Sequence, residues 1–290
     1  MRQISIGSPA KINLWLQVTG KMPDNYHSLC TIFQMIDLCD RITLTERDEG
    51  ITIKSNGNIP ADNRNLAHKA ASLIFNKYGL SGGVEIEIDK HIPVAAGLGG
   101  GSSNAASTII GLKQLFSLDI PPEEMLELGG EIGSDVPFFL SGYTSALGKG
   151  RGEILAKIDI EDDFYILLVN PRIEVSTAWA YANLSLTKAV NAYRMDKFMS
   201  KVSLKQIVPG LRNDLETAVI GRHPIIGEIK ERLVELGAMG AAMSGSGSTL
   251  FGIFQDSNSV ASACSSWNIP DCDLFVARPV RSILDIYPRI

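Results

Sequence analysis

Two periods of apolar residues run through this chain. Ile12, Leu14, Leu16 and Val18 alternate with Asn13, Trp15, Gln17 and Thr19, a period of two that predicts a strand. On that pattern Lys11, Asn13 and Trp15 share the face opposite the apolar one. Stretches 38–45 and 51–54 read as further strands, as does the alternation of Val84, Ile86 and Ile88. Helical spacing appears in Leu66, Ala70, Leu73, Ile74 and Tyr78, with Gly79 as the stop. Ala105, Ala106, Ile109, Ile110 and Leu112 give another helix, for which Ser102-Ser103-Asn104 is good N-cap chemistry. A third starts at Pro121-Pro122-Glu123-Glu124 and ends near Gly129-Gly130. A buried-looking strand at 164–169 opens the second half. Helices around 177–184, 196–201, 214–220 and 224–236 follow, then strand, helix and strand to Pro279. The change of character near Ile158 predicts two domains, 1–158 and 159–290. Neither half shows regular βαβ alternation, so the predicted class is α+β.

The stretch Pro93-Val94-Ala95-Ala96-Gly97-Leu98-Gly99-Gly100-Gly101-Ser102-Ser103 lies between a predicted strand and a predicted helix. Adjacent glycines cost entropy on folding and are an unlikely choice for an idle loop. Strand, glycine loop and helix N-terminus together present free backbone N–H groups and a positive dipole end to an anion, for which phosphate is the obvious candidate. A P-loop is excluded because no lysine follows the glycines, and the G-x-G-x-x-G spacing also fails. This is a phosphate cradle of another kind.

At 290 residues the chain can bury about three quarters of its unfolded surface. A net charge of −5 with no basic stripe argues against nucleic-acid binding, though a local site can still be positive. Cys30, Cys39, Cys264 and Cys272 form no metal-site spacing. The start of the chain lacks a signal-peptide apolar region, and no apolar run approaches the ~20 residues needed to span a bilayer. The expectation is a cytoplasmic protein with no membrane partner.

Three further stretches carry candidate chemistry. Lys11 and Asn13 sit within Pro9-Ala10-Lys11-Ile12-Asn13-Leu14. Without context, a strand lysine is more often solvated than functional. Asp135 leads the apolar run Val136-Pro137-Phe138-Phe139, where an N-cap is the plain alternative. Ser244-Gly245-Ser246-Gly247-Ser248 has the composition of a linker, but apolar Ala241-Ala242-Met243 and Leu250-Phe251 flank it and argue for a tight interior loop. Gly148-Lys149-Gly150-Arg151-Gly152 is a weaker cluster of the same type.

In order and spacing, the opening Pro-Ala-Lys-Ile-Asn-Leu, the glycine-rich stretch and Met243 to Ser248 resemble the three motifs of the GHMP kinases. The resemblance covers nearly the whole chain. It implies a two-domain α+β fold, the first domain like domain 2 of ribosomal protein S5 and the second ferredoxin-like. It implies a phosphotransferase with an alcohol acceptor, using ATP and Mg²⁺. Asp135 would be the general base with Lys11 its partner, Pro93 to Ser103 would hold the ATP phosphates, and Gly245-Ser246-Gly247 would be the third motif. The Ser103 hydroxyl is then a candidate Mg²⁺ ligand.

Within the superfamily, Tyr26-His27 soon after Lys11 points to the branch acting on a cytidine diphosphate-linked alcohol. There Asn13, Tyr26, His27, Thr177 and Tyr181 would bind substrate, with Tyr26, His27 and Tyr181 on the cytosine. Kinases of homoserine, mevalonate or a sugar, and a non-catalytic nucleotide binder, are the alternatives. Two departures stand out. Asn25 replaces the usual glycine before Tyr26, and Ser134 replaces a frequent alanine. Asparagine tolerates the same turn. The oligomeric state is left open.

Overall fold

The computed structural model describes residues 1–23, 26–184 and 201–287. The predicted helix at 196–201 and the Asp24-Asn25 turn therefore lie outside the described residues, apart from Lys201. The chain opens with two long strands, β1 (Gln3–Lys21) and β2 (His27–Arg47), paired antiparallel along their length. β3 (Gly50–Ser55) follows, then α1 (Leu66–Tyr78) and β4 (Gly83–Asp89). The glycine loop leads into α2 (Gly100–Leu115), and α3 (Pro122–Ile132) and α4 (Val136–Leu140) follow it. β5 (Ser145–Lys149), β6 (Ile154–Lys157), β7 (Asp159–Ile160) and β8 (Tyr165–Asn170) lead into the second half.

Next come α5 (Thr177–Ala182), β9 (Lys201–Val202), α6 (Leu204–Ile207) and β10 (Arg212–Asn213). The chain continues with α7 (Glu216–Arg222), α8 (Ile225–Glu235), β11 (Gly240–Met243) and β12 (Leu250–Phe254). α9 (Ser257–Ser265) and β13 (Asp273–Ala277) complete it.

A seven-stranded sheet runs β10-β1-β2-β4-β3, with β5 and β6 branching from β2. An antiparallel four-stranded sheet has the order β11-β12-β8-β13, and β7 pairs with β9. The first sheet packs against α1 and α2 over a core that includes Ile42, Leu44, Ile86, Ile88, Ile109 and Phe138. Two elements cross between the halves. β10 lies parallel to β1, and the end of the chain returns to bury Val280 and Tyr287 in the first core.

α1 matches its apolar period. Asn65 caps it, its Oδ1 accepting from the Ala67 N–H at 2.9 Å, and Gly79 ends it at φ +59°. Three expectations are corrected. Ser102-Ser103-Asn104 does not cap α2. The cap is Gly99 at φ +71°, and the three polar residues lie inside the helix, at its third to fifth positions. The glycines could continue into a helix because α2 is held by burial along nearly its whole length rather than by a side-chain cap. α3 continues past Gly129-Gly130 to Ile132, because Gly129 is where Leu140 and Val136 pack closely against it. Finally, Lys11, Asn13 and Trp15 do not make one regular face set against an apolar one. All three are buried, because β1 is covered on both sides, and shifts in register occur after Pro9 and Asn13.

Candidate active site

A cleft of about 680 Å³ opens where the glycine loop meets the turn between β11 and β12. Its walls carry Lys11 and Asn13 of β1, the loop from Pro93 to Ser102, Asp135 at the head of α4, and Gly245 and Ser246. Strand, loop and helix terminus thus converge as backbone geometry requires. β4 delivers the loop, and α2 starts with its N-terminal turn on the cleft.

Lys11 is 3% exposed. Its Nζ donates to Asn13 Oδ1 at 2.7 Å and to the Gly97 carbonyl at 3.0 Å, and lies 3.5 Å from Asp135 Oδ2. The solvated-strand alternative fails on that burial. Asn13 is fixed in turn, donating from Nδ2 to Thr31 Oγ1 at 2.8 Å, and Thr31 donates to the Trp15 carbonyl at 2.6 Å. Asp135 occupies the N-cap position of α4, yet its side chain makes no capping bond. Its carboxylate lines the cleft, with the Lys11 ammonium beside it.

The glycine loop closes tightly on the third motif. The Gly97 carbonyl accepts from both Lys11 and Ser244 Oγ, the latter at 3.0 Å. Gly97 has φ +79°, and a Cβ there would lie 2.0 Å from the Ser244 carbonyl oxygen. Only glycine allows that approach. Ser103 is completely buried, its hydroxyl accepting from Ser8 at 2.9 Å, whereas Ser102 lines the cleft. Of the two adjacent serines, Ser102 is the one on the cleft wall.

The proposed substrate residues divide. Thr177 Oγ1 pairs with Ser246 Oγ at 2.9 Å, joining α5 to the third motif. Tyr181 lines the cleft, and its ring stacks on His27 at 5.1 Å between centroids. Burial, with the Asp135 carboxylate second, holds its phenol above the ordinary tyrosine range. Tyr26 is 58% exposed, and its ring carries the Arg151 guanidinium at 4.0 Å. Tyr181 thus has the His27 ring as a neighbour, and Tyr26 the Arg151 guanidinium.

Several cleft residues carried no local signal in the sequence. Ile59, Pro60, Asn65 and Leu66 form a wall beside the glycines, with Lys90 at the base. Lys90 forms an ion pair with Asp40, which lies fifty residues away in sequence and is 1% exposed. Asp40 also accepts from the His91 and Ile92 N–H groups, each at 2.8 Å, and from Asn104 Nδ2 at 2.9 Å. A buried carboxylate surrounded by four donors is the anchor of the loop. Only the β2–β4 pairing brings it there.

Comparison with known proteins agrees with this arrangement. The GHMP kinases N terminal domain matches residues 65–143, and the GHMP kinases C terminal domain matches residues 202–270. The chain is 45% identical over 269 residues to 4-diphosphocytidyl-2-C-methyl-D-erythritol kinase of Geobacter metallireducens, covering 92% of this chain and 94% of that one. The enzyme of the same name from Acetivibrio thermocellus is 38% identical, covering 97% and 100%. A crystal structure of 4-(cytidine 5'-diphospho)-2C-methyl-D-erythritol kinase superposes with a TM-score of 0.77 at 29% identity, over 96% of this chain and 100% of that one. Homoserine kinase of Cytophaga hutchinsonii reaches the same TM-score at 18% identity, covering 97% and 96%, a likeness of fold. This chain belongs to the GHMP kinases and, within them, to the 4-diphosphocytidyl-2-C-methyl-D-erythritol kinase family.

Proposed function

We propose that this protein transfers the γ-phosphoryl group of ATP to the 2-hydroxyl of 4-diphosphocytidyl-2-C-methyl-D-erythritol, a step of the non-mevalonate route to isoprenoid precursors. The observation that carries the reading is the Lys11–Asp135 pair in a cleft between two glycine motifs, in a chain so similar to kinases of that name. Asp135 is the general base. A neutral alcohol is a poor nucleophile, so a carboxylate must accept its proton as the new bond to phosphorus forms. Lys11 adds positive charge beside that carboxylate, where the phosphoryl group travels. Phosphoryl transfer asks mainly for such positioning and neutralisation.

The loop from Pro93 to Ser103 and the start of α2 cradle the ATP phosphates, and the apolar wall of Ile59, Pro60 and Leu66 receives the adenine. Among the described residues no group of three or more His, Cys, Asp or Glu side chains is placed to hold a metal. The donor set fits a Mg²⁺ that would be held mainly by the nucleotide phosphates and water, and the Ser102 hydroxyl of the cleft wall would be its protein ligand. When bound, the ion neutralises charge on the β- and γ-phosphates. Asn13, Thr177 and the aromatic residues Tyr26, His27 and Tyr181 receive the acceptor. The division into 1–158 and 159–290 belongs to this reading, with β10 and the tail at 280–287 as the crossings between halves. Among the described residues no helix is long and apolar enough to cross a membrane, and a cytoplasmic location is part of the proposal.

A coupled ADP-release assay with a panel of alcohols, with and without the cytidine diphosphate moiety, tests the reading. ADP release only with the cytidine-linked acceptor is the expected result. Equal or better turnover of homoserine, mevalonate or a sugar would assign the protein to another branch.

A further inference from the structure

We propose that Arg151 recognises the diphosphate of the acceptor and so selects a cytidine diphosphate-linked alcohol over an uncharged nucleoside. The proposal rests on the reading above and names a residue that the glycine and lysine motifs leave unused.

Among the described residues, the cations on the cleft wall are Lys11, Arg64, Lys90 and Arg151. Lys11 faces Asp135, and Lys90 is locked into the buried Asp40 network. Arg64 pairs with Asp62 at 2.9 Å next to the α1 cap, on the same wall as Leu66 and the glycines. Arg151 stands elsewhere. It comes from the loop between β5 and β6, and its guanidinium carbon lies 4.0 Å from the ring centroid of Tyr26, one residue before β2 begins.

The loop is tied down on both sides of the arginine. The Leu29 N–H donates to the Gly150 carbonyl at 2.7 Å, and the Gly152 N–H donates to the Lys149 carbonyl at 3.0 Å. The Arg151 N–H donates to Glu153 Oε2 at 2.6 Å. The backbone of Arg151 is therefore set by β2, and stacking on Tyr26 orients the planar fork.

An acceptor with its base at the Tyr26–His27 wall and its alcohol at Asp135 must cross the cleft with two phosphates between them. Arg151 touches the first of these places and shares the cleft with the second. A guanidinium presents parallel N–H donors that match phosphate oxygens, which a lysine ammonium does not reproduce. The stacked ring also limits the side-chain freedom lost on binding.

The test uses the purified full chain and its Arg151→Ala, Arg151→Gln and Arg151→Lys variants. KM is measured for ATP and for the cytidine-linked substrate, with cytidine, CMP and CDP as competitive inhibitors. For Arg151→Ala and Arg151→Gln the expected rise in acceptor KM is roughly ten- to a hundredfold, the loss of one charge-assisted contact, with KM for ATP unchanged. The preference for CDP over cytidine should shrink by a similar factor, and Arg151→Lys should fall between. Thermal melting matching wild type shows that the fold is intact. If Arg151→Ala unfolds, the Gln and Lys variants carry the comparison.

Equal weakening of CDP and cytidine would overturn the proposal, since Arg151 would then serve the base through Tyr26. A rise in KM for ATP alone would overturn it too, as would inhibitor affinities that do not move. Failure of the underlying reading looks different: the wild-type enzyme itself would not use the cytidine-linked alcohol.

Discussion

Lys11 and Asp135 are sparse signals in sequence and a tight pair in space. A lysine in an alternating strand says little until its Nζ is found buried with three oxygen partners, one of them a carboxylate in the cleft. Asp135→Asn keeps the shape and removes proton acceptance. Turnover should fall by roughly 10²–10⁴-fold while KM for ATP stays near wild type, measured by steady-state ADP release. Turnover within a few-fold of wild type would remove Asp135 from the mechanism.

Lys11→Met is a different test, because burial gives this side chain a structural role as well. Gly97 keeps Ser244 as a partner, but the Asn13 oxygen loses its donor. We expect a loss of about 1–3 kcal/mol in a urea titration, and a fall in kcat larger than any change in acceptor KM. A variant of full stability and unchanged kcat would leave Lys11 without a role in the chemistry.

At the scale of elements, the glycine loop is held by a part of the chain that no local pattern connects to it. α1 could be read from sequence because its apolar period and its terminal glycine lie together within residues 66–79. The loop itself was legible because consecutive glycines between a strand and a helix have few other uses. Asp40 was not, nor was Lys90. Each is one charged residue among many until the β2–β4 register, in which Ile42 faces Ile88, brings them together under α2. The same reason hid the cleft wall at Ile59, Pro60 and Asn65. The end of α3 and the cap of α2 were misread for a related cause. Glycine usually stops a helix, but at Gly129 and Gly100 its small size serves packing against Leu140 and Ile92.

The anchor gives a prediction at this scale. Asp40→Ala leaves Lys90 as a buried unpaired charge and frees three further donors. Breaking such a network typically costs about 3–5 kcal/mol. A urea midpoint close to wild type would show that the loop is anchored elsewhere. If the variant folds, KM for ATP should rise more than KM for the acceptor, because the loop it releases belongs to the nucleotide side.

At the scale of the molecule, the glycine loop and the turn after β11 meet through hydrogen bonds to backbone carbonyls around one glycine. The Gly97 carbonyl receives Lys11 from β1 and Ser244 from the turn after β11, and the Thr249 N–H reaches the Ala96 carbonyl at 3.3 Å. The cleft exists because these loops interlock, so the fit at Gly97 should govern stability and the fit at Gly101 should govern binding. An added Cβ at Gly97 would lie 2.0 Å from one backbone oxygen, on a φ that disfavours side chains. At Gly101 the nearest neighbour of an added Cβ is Leu66 Cδ1 at 3.8 Å, and the residue lies in the first turn of α2. Gly97→Ala should therefore lower the melting temperature without ligand, while Gly101→Ala should hold or raise it by the equivalent of about 0.5–1 kcal/mol.

A non-hydrolysable ATP analogue separates the effects further. At a hundred times its Kd, a ligand bound only to the folded state adds about 2.7 kcal/mol. Gly101→Ala puts a methyl group on the cleft wall, so its melting temperature should rise less on adding the analogue than that of wild type. An unliganded melt of Gly97→Ala that matches wild type would mean that the loops can separate without cost. The interlock around Gly97 would then not be what holds the cleft together.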